Sequence, residues 1–115
     1  MSELTKETPG SITDWAKEIF GEVNSNLSIA VRANEELAEL MGELSKDDKS
    51  PKAAAEIADV FIILYRLCIR LDIDIFAEID KKMAINRSRT WAKDGNGHGR
   101  HVKSLEKPPG SHDTP

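Results

Sequence analysis

What this 115-residue chain lacks already narrows its class. A single cysteine, Cys68, excludes an intramolecular disulfide framework and any multi-cysteine metal site. Only six aromatic residues are present (Trp15, Phe20, Phe61, Tyr65, Phe76 and Trp91), which disfavours folds built on many rings. No histidine precedes His98, and only Pro9 and Pro51 precede position 108. Strand-like alternation is nearly absent, so long helices are the natural expectation. The N-terminus, MSELTKETPG, has none of the basic-then-apolar character of a secretory signal, and the longest apolar run, Val60 to Tyr65, is far short of a membrane span. These absences lead us to expect a soluble, cytoplasmic protein with no membrane partner.

Charge is present but segregated. Residues 1–80 carry 17 acids against 8 bases, whereas residues 81–115 carry 3 against 8. An acidic chain argues against a stable nucleic-acid partner, while its basic end keeps smaller anions in play. At this length one domain is expected. The expected organisation is a flexible N-terminus over 1–10, one folded domain over 11–91, and a flexible basic tail over 92–115 that holds Gly95, Gly97, Gly99 and Pro108-Pro109-Gly110.

Four helices account for the domain. The first begins near Ser11, where Ser11 and Asp14 can form a capping pair, and sets Ile12, Trp15, Ile19 and Val23 at helical spacing. Asn24-Ser25-Asn26 favours a break. The second helix runs from about Leu27 to Leu44, and Lys46-Asp47-Asp48-Lys49 forms a polar connection. Ser50-Pro51 then opens the third in the favoured way, a Ser cap followed by Pro. From Ala53 to Leu71 this helix is apolar nearly all round, which predicts the central and most buried element, with Cys68 in its core. The fourth runs from Ile75 to about Trp91, with Ile75, Ile79, Met83 and Ile85 inward. The fold class is thus all-α, of four-helix-bundle type. So few helices leave the third with little cover, and a dimer or a dimer of dimers is expected.

Two residues do not suit the third helix. Glu56 and Asp59 lie three apart, on one face of an otherwise apolar element, and carboxylates are seldom buried without a partner. The second helix repeats the spacing in Glu36 and Glu39, within the acidic run Glu35, Glu36, Glu39 and Glu43. In an antiparallel hairpin the two pairs face each other as four carboxylates with few cations nearby. Such a cluster repels itself unless something strongly positive sits in it. Oxygen ligands without His or Cys suit Mg²⁺, with Mn²⁺ as a substitute.

Glu35-Glu36-Leu37-Ala38-Glu39, followed by Glu56-Ile57-Ala58-Asp59, resembles the EExxE…ExxD signature of the MazG-like all-α nucleoside triphosphate pyrophosphohydrolases, a family related to dimeric dUTPases and dCTP pyrophosphatases. Lys82-Met83-Ala84-Ile85-Asn86-Arg87 is similar to its Lys-Met-x-x-Asn-Arg segment, so the resemblance covers about residues 11–91. It implies Mg²⁺-dependent hydrolysis of a nucleoside triphosphate between the α and β phosphates, giving the monophosphate and pyrophosphate. The implied metal ligands are Glu36, Glu39, Glu56 and Asp59. A role on the deoxynucleotide pool or on non-standard nucleotides is expected.

For that chemistry Glu35, four residues before Glu39, reaches the same rim and is a candidate to orient or deprotonate the water; a solvated role stands equally beside it. Lys82, Asn86 and Arg89 recur on one flank of the fourth helix and are candidates for the leaving pyrophosphate. A basic last turn also simply complements the helix dipole. Trp15 is a candidate to stack on the base, with core packing as the alternative. Asn24, Asn26 and Asn34 are candidates for base or sugar hydrogen bonds, capping being the alternative for the first two.

Other signals are weak. The spaced glycines 95, 97 and 99 lack the flanking strand and helix of a phosphate loop. His98, His101 and His112 have no rigid scaffold. A ferritin-like di-iron bundle needs Glu-x-x-His pairs, which are absent. The remaining rival is a non-catalytic helical module whose acidic face binds a basic partner.

Overall fold

The structure is a computed structural model in which residues 6–102 are described. It contains α1 (Pro9–Phe20), α2 (Asn26–Lys46), α3 (Ala53–Arg70), α4 (Ile75–Ser88), β1 (Trp91–Lys93) and β2 (Gly99–His101). The all-α class with four helices is borne out. The described residues fall into two compact units, divided after Ile75. Among the described residues, no helix is long and apolar enough to cross a membrane.

In the first unit α3 packs against both α1 and α2. Helix α1 starts earlier than expected because Pro9 takes the first helical position and Thr8 caps it. The Thr8 hydroxyl accepts from the Ser11 N–H at 3.0 Å, and Ser11 Oγ accepts from the Thr8 N–H at 2.8 Å. Ser11 is therefore the third residue of the helix, and Val23 lies beyond its end. Ser25 caps α2 by accepting from the Ser28 N–H at 3.1 Å.

The third helix opens two residues later than expected, because Pro51 lies in a turn closed by the Ala53 N–H on the Ser50 carbonyl at 3.1 Å. Ser50 Oγ accepts from the Lys52 N–H at 3.2 Å and donates to Glu43 Oε1 at 3.4 Å, while α3 begins at Ala53 without a side-chain cap. At the other end Arg70 Nε donates to Asn26 Oδ1 at 2.7 Å. The links Glu43–Ser50 and Asn26–Arg70 are nested in sequence, as an antiparallel α2–α3 hairpin requires. They also place Asn26 at the open end of the hairpin as the acceptor for Arg70, while Ser25 takes the cap.

Ile29 and Ala33 of α2 meet Ile63 of α3 in the core, with Val23 and Leu67 against them. Two expectations of burial are corrected. Helix α3 is central but buries only Ile63 and Cys68, while Phe61 stays 51% exposed and Ile57 and Leu64 are exposed with it. Its two neighbours cover two sides of a helix that is apolar on more. Helix α4 buries none of its residues: Ile79, Met83 and Ile85 are exposed and Ile75 is half-buried.

In the second unit α4 ends at Ser88, short of Trp91, which instead enters β1 and donates from Nε1 to the Asn86 carbonyl at 2.7 Å. β1 and β2 pair antiparallel, Trp91 opposite His101 and Lys93 opposite Gly99. The expectation of no packed structure beyond 92 is thereby corrected for residues 92–101. Asp94 Oδ1 accepts from the N–H groups of Asn96 (2.8 Å) and His98 (3.1 Å), and Gly95 and Gly97 take positive φ in the loop. Residues 103–115, with His112, and residues 1–5 lie outside the described part.

Candidate active site

The α2 face that builds the core also presents a carboxylate. Ile29, Ala33 and Glu36 recur at helical spacing, so Glu36 is carried inward by the residues that anchor the helix. On α3, Glu56, Asp59 and Ile63 share a face by the same rule. The antiparallel hairpin sets the two faces together. One carboxylate oxygen from each of Glu36, Glu56 and Asp59 lies within 4.8 Å of the others, a group able to hold a metal ion. Glu36 is buried, Glu56 half-buried and Asp59 exposed.

Two features show that these groups are not merely solvated. Glu56 Oε2 is buried without a hydrogen-bond partner, an acceptor left without compensation. The Glu36 carboxyl is raised above its ordinary value, first by burial, against the lowering effect of Arg32, and further by Glu39 and Asp59. Glu39 is exposed, and its carboxylate beside Glu36 contributes to that rise.

Arg32 was not among the residues singled out from sequence, although its place one turn before Glu36 was the available signal. Its Nη2 lies 2.7 Å from Glu36 Oε1 and its Nη1 lies 3.5 Å from Glu35 Oε1. The expected scarcity of cations near the cluster is corrected by this pair. Glu35 is thus drawn to Arg32 on the exposed rim.

A groove of about 500 Å³ in the first unit runs beside the acids. Asp59, Ile62, Ile63 and Arg66 of α3 line one side, with Ser28, Ile29, Arg32 and Glu36 of α2 opposite. Trp15 and Phe20 of α1 line it too, their rings edge to face at 5.4 Å, with the Arg66 guanidinium 5.9 Å from the Phe20 ring centre. Trp15 is 53% exposed, so it is not the core residue of its alternative reading. From Asp59 to Arg66 the rise along α3 is roughly 10 Å, the scale of a nucleoside with its first phosphate. Asn24 and Asn34 are exposed and outside the groove lining.

Lys82, Asn86 and Arg89 belong to the second unit. There the Asn86 side-chain amide donates to Met83 Sδ at 3.8 Å, and the Asn86 backbone carbonyl accepts from the Arg89 backbone N–H at 3.2 Å. The structure does not relate these three to the carboxylates.

No model of a protein family matches the chain. It is 41% identical over 72 residues to the dATP/dGTP diphosphohydrolase of Cyanophage S-2L, which covers 63% of this chain and 68% of that protein. It is 35% identical over 91 residues to the dATP/dGTP diphosphohydrolase of Salmonella phage PMBT28, covering 79% of this chain and 29% of that longer protein. Among solved structures it is similar to the Cyanophage S-2L MazG-like pyrophosphohydrolase bound to dGDP and three catalytic Mn²⁺ ions per active site. The TM-score is 0.66 at 31% identity, covering 87% of this chain and 93% of that one.

Proposed function

The chain belongs to the MazG-like pyrophosphohydrolase family, and we propose that it hydrolyses purine deoxynucleoside triphosphates to the monophosphate and pyrophosphate. The observation that carries this reading is the approach of Glu36, Glu56 and Asp59 within 4.8 Å, with a buried, unpartnered oxygen on Glu56. An all-carboxylate donor set of this kind fits a hard divalent cation. Glu36, Glu56 and Asp59 would hold it, with Glu39 beside Glu36 completing the set. Mg²⁺ is the proposed physiological ion and Mn²⁺ its substitute. When bound, such ions offset the charge of the triphosphate and acidify water.

The chain's own groups account for the rest. Trp15 would stack on the base in the groove, and the purine preference rests on the substrates named for both phage relatives. Glu35, exposed on the rim, would orient or deprotonate the attacking water. Lys82, Asn86 and Arg89 are proposed partners of the leaving pyrophosphate on the strength of their spacing. The oxygen of water bonds to the α phosphorus, and the α–β bridging oxygen leaves with the pyrophosphate. A cytoplasmic site of action accompanies this reading. The exposed apolar residues of α3 support a homodimer or a homotetramer as the working form.

The test is a panel of ribo- and deoxynucleoside triphosphates with Mg²⁺ or Mn²⁺ in ¹⁸O water, scoring pyrophosphate separately from orthophosphate. The reading expects pyrophosphate, with the label on the monophosphate of dATP and dGTP. Orthophosphate alone would mean β–γ cleavage, and no product from any nucleotide would reject the activity.

A further inference from the structure

The pairing of Arg32 with Glu36 has a use beyond holding a helix together. Intrahelical ion pairs on open surfaces contribute little, but this one joins a half-exposed guanidinium to a carboxylate whose side chain is only 9% exposed. Around that carboxylate stand Glu39 from the same helix and Asp59 and Glu56 from α3. Among the described residues Arg32 is a cation in direct contact with this cluster, and it also lines the groove that Trp15 and Arg66 line.

A guanidinium has five N–H donors in a planar fork suited to carboxylate and phosphate alike. Here Nη2 is committed to Glu36 at 2.7 Å, and Nη1 is held only loosely by Glu35 at 3.5 Å. A divalent cation held by Glu36, Glu56 and Asp59 would balance the same charge that Arg32 balances. Its arrival would repel the guanidinium and leave it beside a groove of nucleotide dimensions. A phosphate oxygen entering that groove offers the anion Arg32 has lost.

We infer that Arg32 is an exchangeable counter-cation: it neutralises Glu36 while no metal is bound and transfers to a phosphate of the incoming nucleotide once metal takes its place. Arg32 is in this sense a positioning residue that makes metal and nucleotide bind with positive coupling. The inference rests on the metal-dependent reading above and adds to it a residue and a direction.

The experiment measures Mn²⁺ binding to the full chain without nucleotide, by the electron paramagnetic resonance signal of free Mn²⁺. It then measures binding of an α,β-methylene deoxynucleoside triphosphate at saturating Mn²⁺ by calorimetry. Arg32→Gln should bind Mn²⁺ alone more tightly than the wild type, by about tenfold, and the nucleotide more weakly by a similar factor. Arg32→Lys, which keeps the charge without the fork, should stay near wild type for Mn²⁺ and intermediate for nucleotide. If Arg32→Gln binds Mn²⁺ equally or more weakly, Arg32 only braces Glu36 and the inference falls. Unchanged nucleotide affinity at saturating Mn²⁺ would overturn it as well. A wild-type chain that binds no Mn²⁺ would instead overturn the metal-dependent reading, and this inference with it.

Discussion

Glu36 of α2 and Asp59 of α3 bring carboxylate oxygens within 4.8 Å of each other across the helical hairpin. Like charges at that range repel, the more so where one of them is buried. The fold therefore holds together a pair that the metal-free chain would be more stable without. Function and stability conflict at this point, and variants should separate them.

Asp59→Asn and Glu56→Gln keep the shape of each side chain and remove a charge. Both should raise the melting temperature of the metal-free protein by a few degrees, on the order of 5 °C. Both should lower metal-dependent turnover by about 100-fold or more, since loss of an outer partner alone costs up to that much. Thermal unfolding with EDTA and steady-state kinetics with Mn²⁺ check the two halves. A non-catalytic acidic module would show the first effect with no nucleotide phenotype.

Metal should reverse the same conflict in the wild type. A ligand that binds only the folded state, at 100 times its Kd, adds about 2.7 kcal/mol of stability. For a folded region of this size that corresponds to a rise of roughly 10 °C or more in Tm. Mn²⁺ titrated into the EDTA-stripped protein should produce this rise, and excess chelator should abolish it.

The raised pKa of Glu36 fixes the direction of a pH effect. Burial raises it most, Arg32 opposes, and Glu39 and Asp59 raise it further. A carboxyl that binds its proton more tightly when folded stabilises the fold below its ordinary value of 4.5, and that contribution is lost as pH rises through the higher folded value. Other groups titrate in the same range, so the informative quantity is the melting temperature of wild type minus that of Glu36→Gln, both without metal. This difference should become more negative as pH increases through the window. A flat difference would mean that Glu36 titrates alike in both states.

Trp15 faces the groove from α1 with Phe20 against its ring edge. If it carries the base, Trp15→Ala should raise KM for dGTP about tenfold, since stacking of a base on an aromatic ring contributes ~1–3 kcal/mol, and should change kcat much less. In a Trp91→Phe background its fluorescence should be quenched on binding of a non-hydrolysable analogue. An unaltered KM would leave Trp15 as cover for the helix bundle.

How much of this was legible in the sequence depends on the range of the interaction. The acidic pairs 36/39 and 56/59 were visible because helical spacing alone puts them on faces, and an apolar helix makes charges conspicuous. The early start of α1 was missed because Thr8 and Pro9 give a stronger cap than Ser11 and Asp14, and adjacent capping signals compete. The hairpin at 91–101 was missed because three-residue strands carry no alternation; Asp94 and the two glycines of its loop were the local signal. Arg32 escaped notice because spacing identifies a pair only when both members are under suspicion.

The last consequence concerns α3, whose apolar circumference exceeds what one chain covers. Ile57, Phe61 and Leu64 recur at intervals of four and three, so they form one exposed stripe, separate in spacing from Glu56, Asp59 and Ile63. An apolar stripe on a central helix is costly to leave in water, and a second copy of the same stripe is its simplest cover. The wild type, of 12.8 kDa per chain, should therefore elute with a light-scattering mass of two or four chains. Phe61→Glu puts a charge in the middle of the stripe without touching the carboxylate face, and should reduce the assembly to single chains that retain Mn²⁺ binding. A wild type that is already monomeric at micromolar concentration would show that the stripe is covered in some other way.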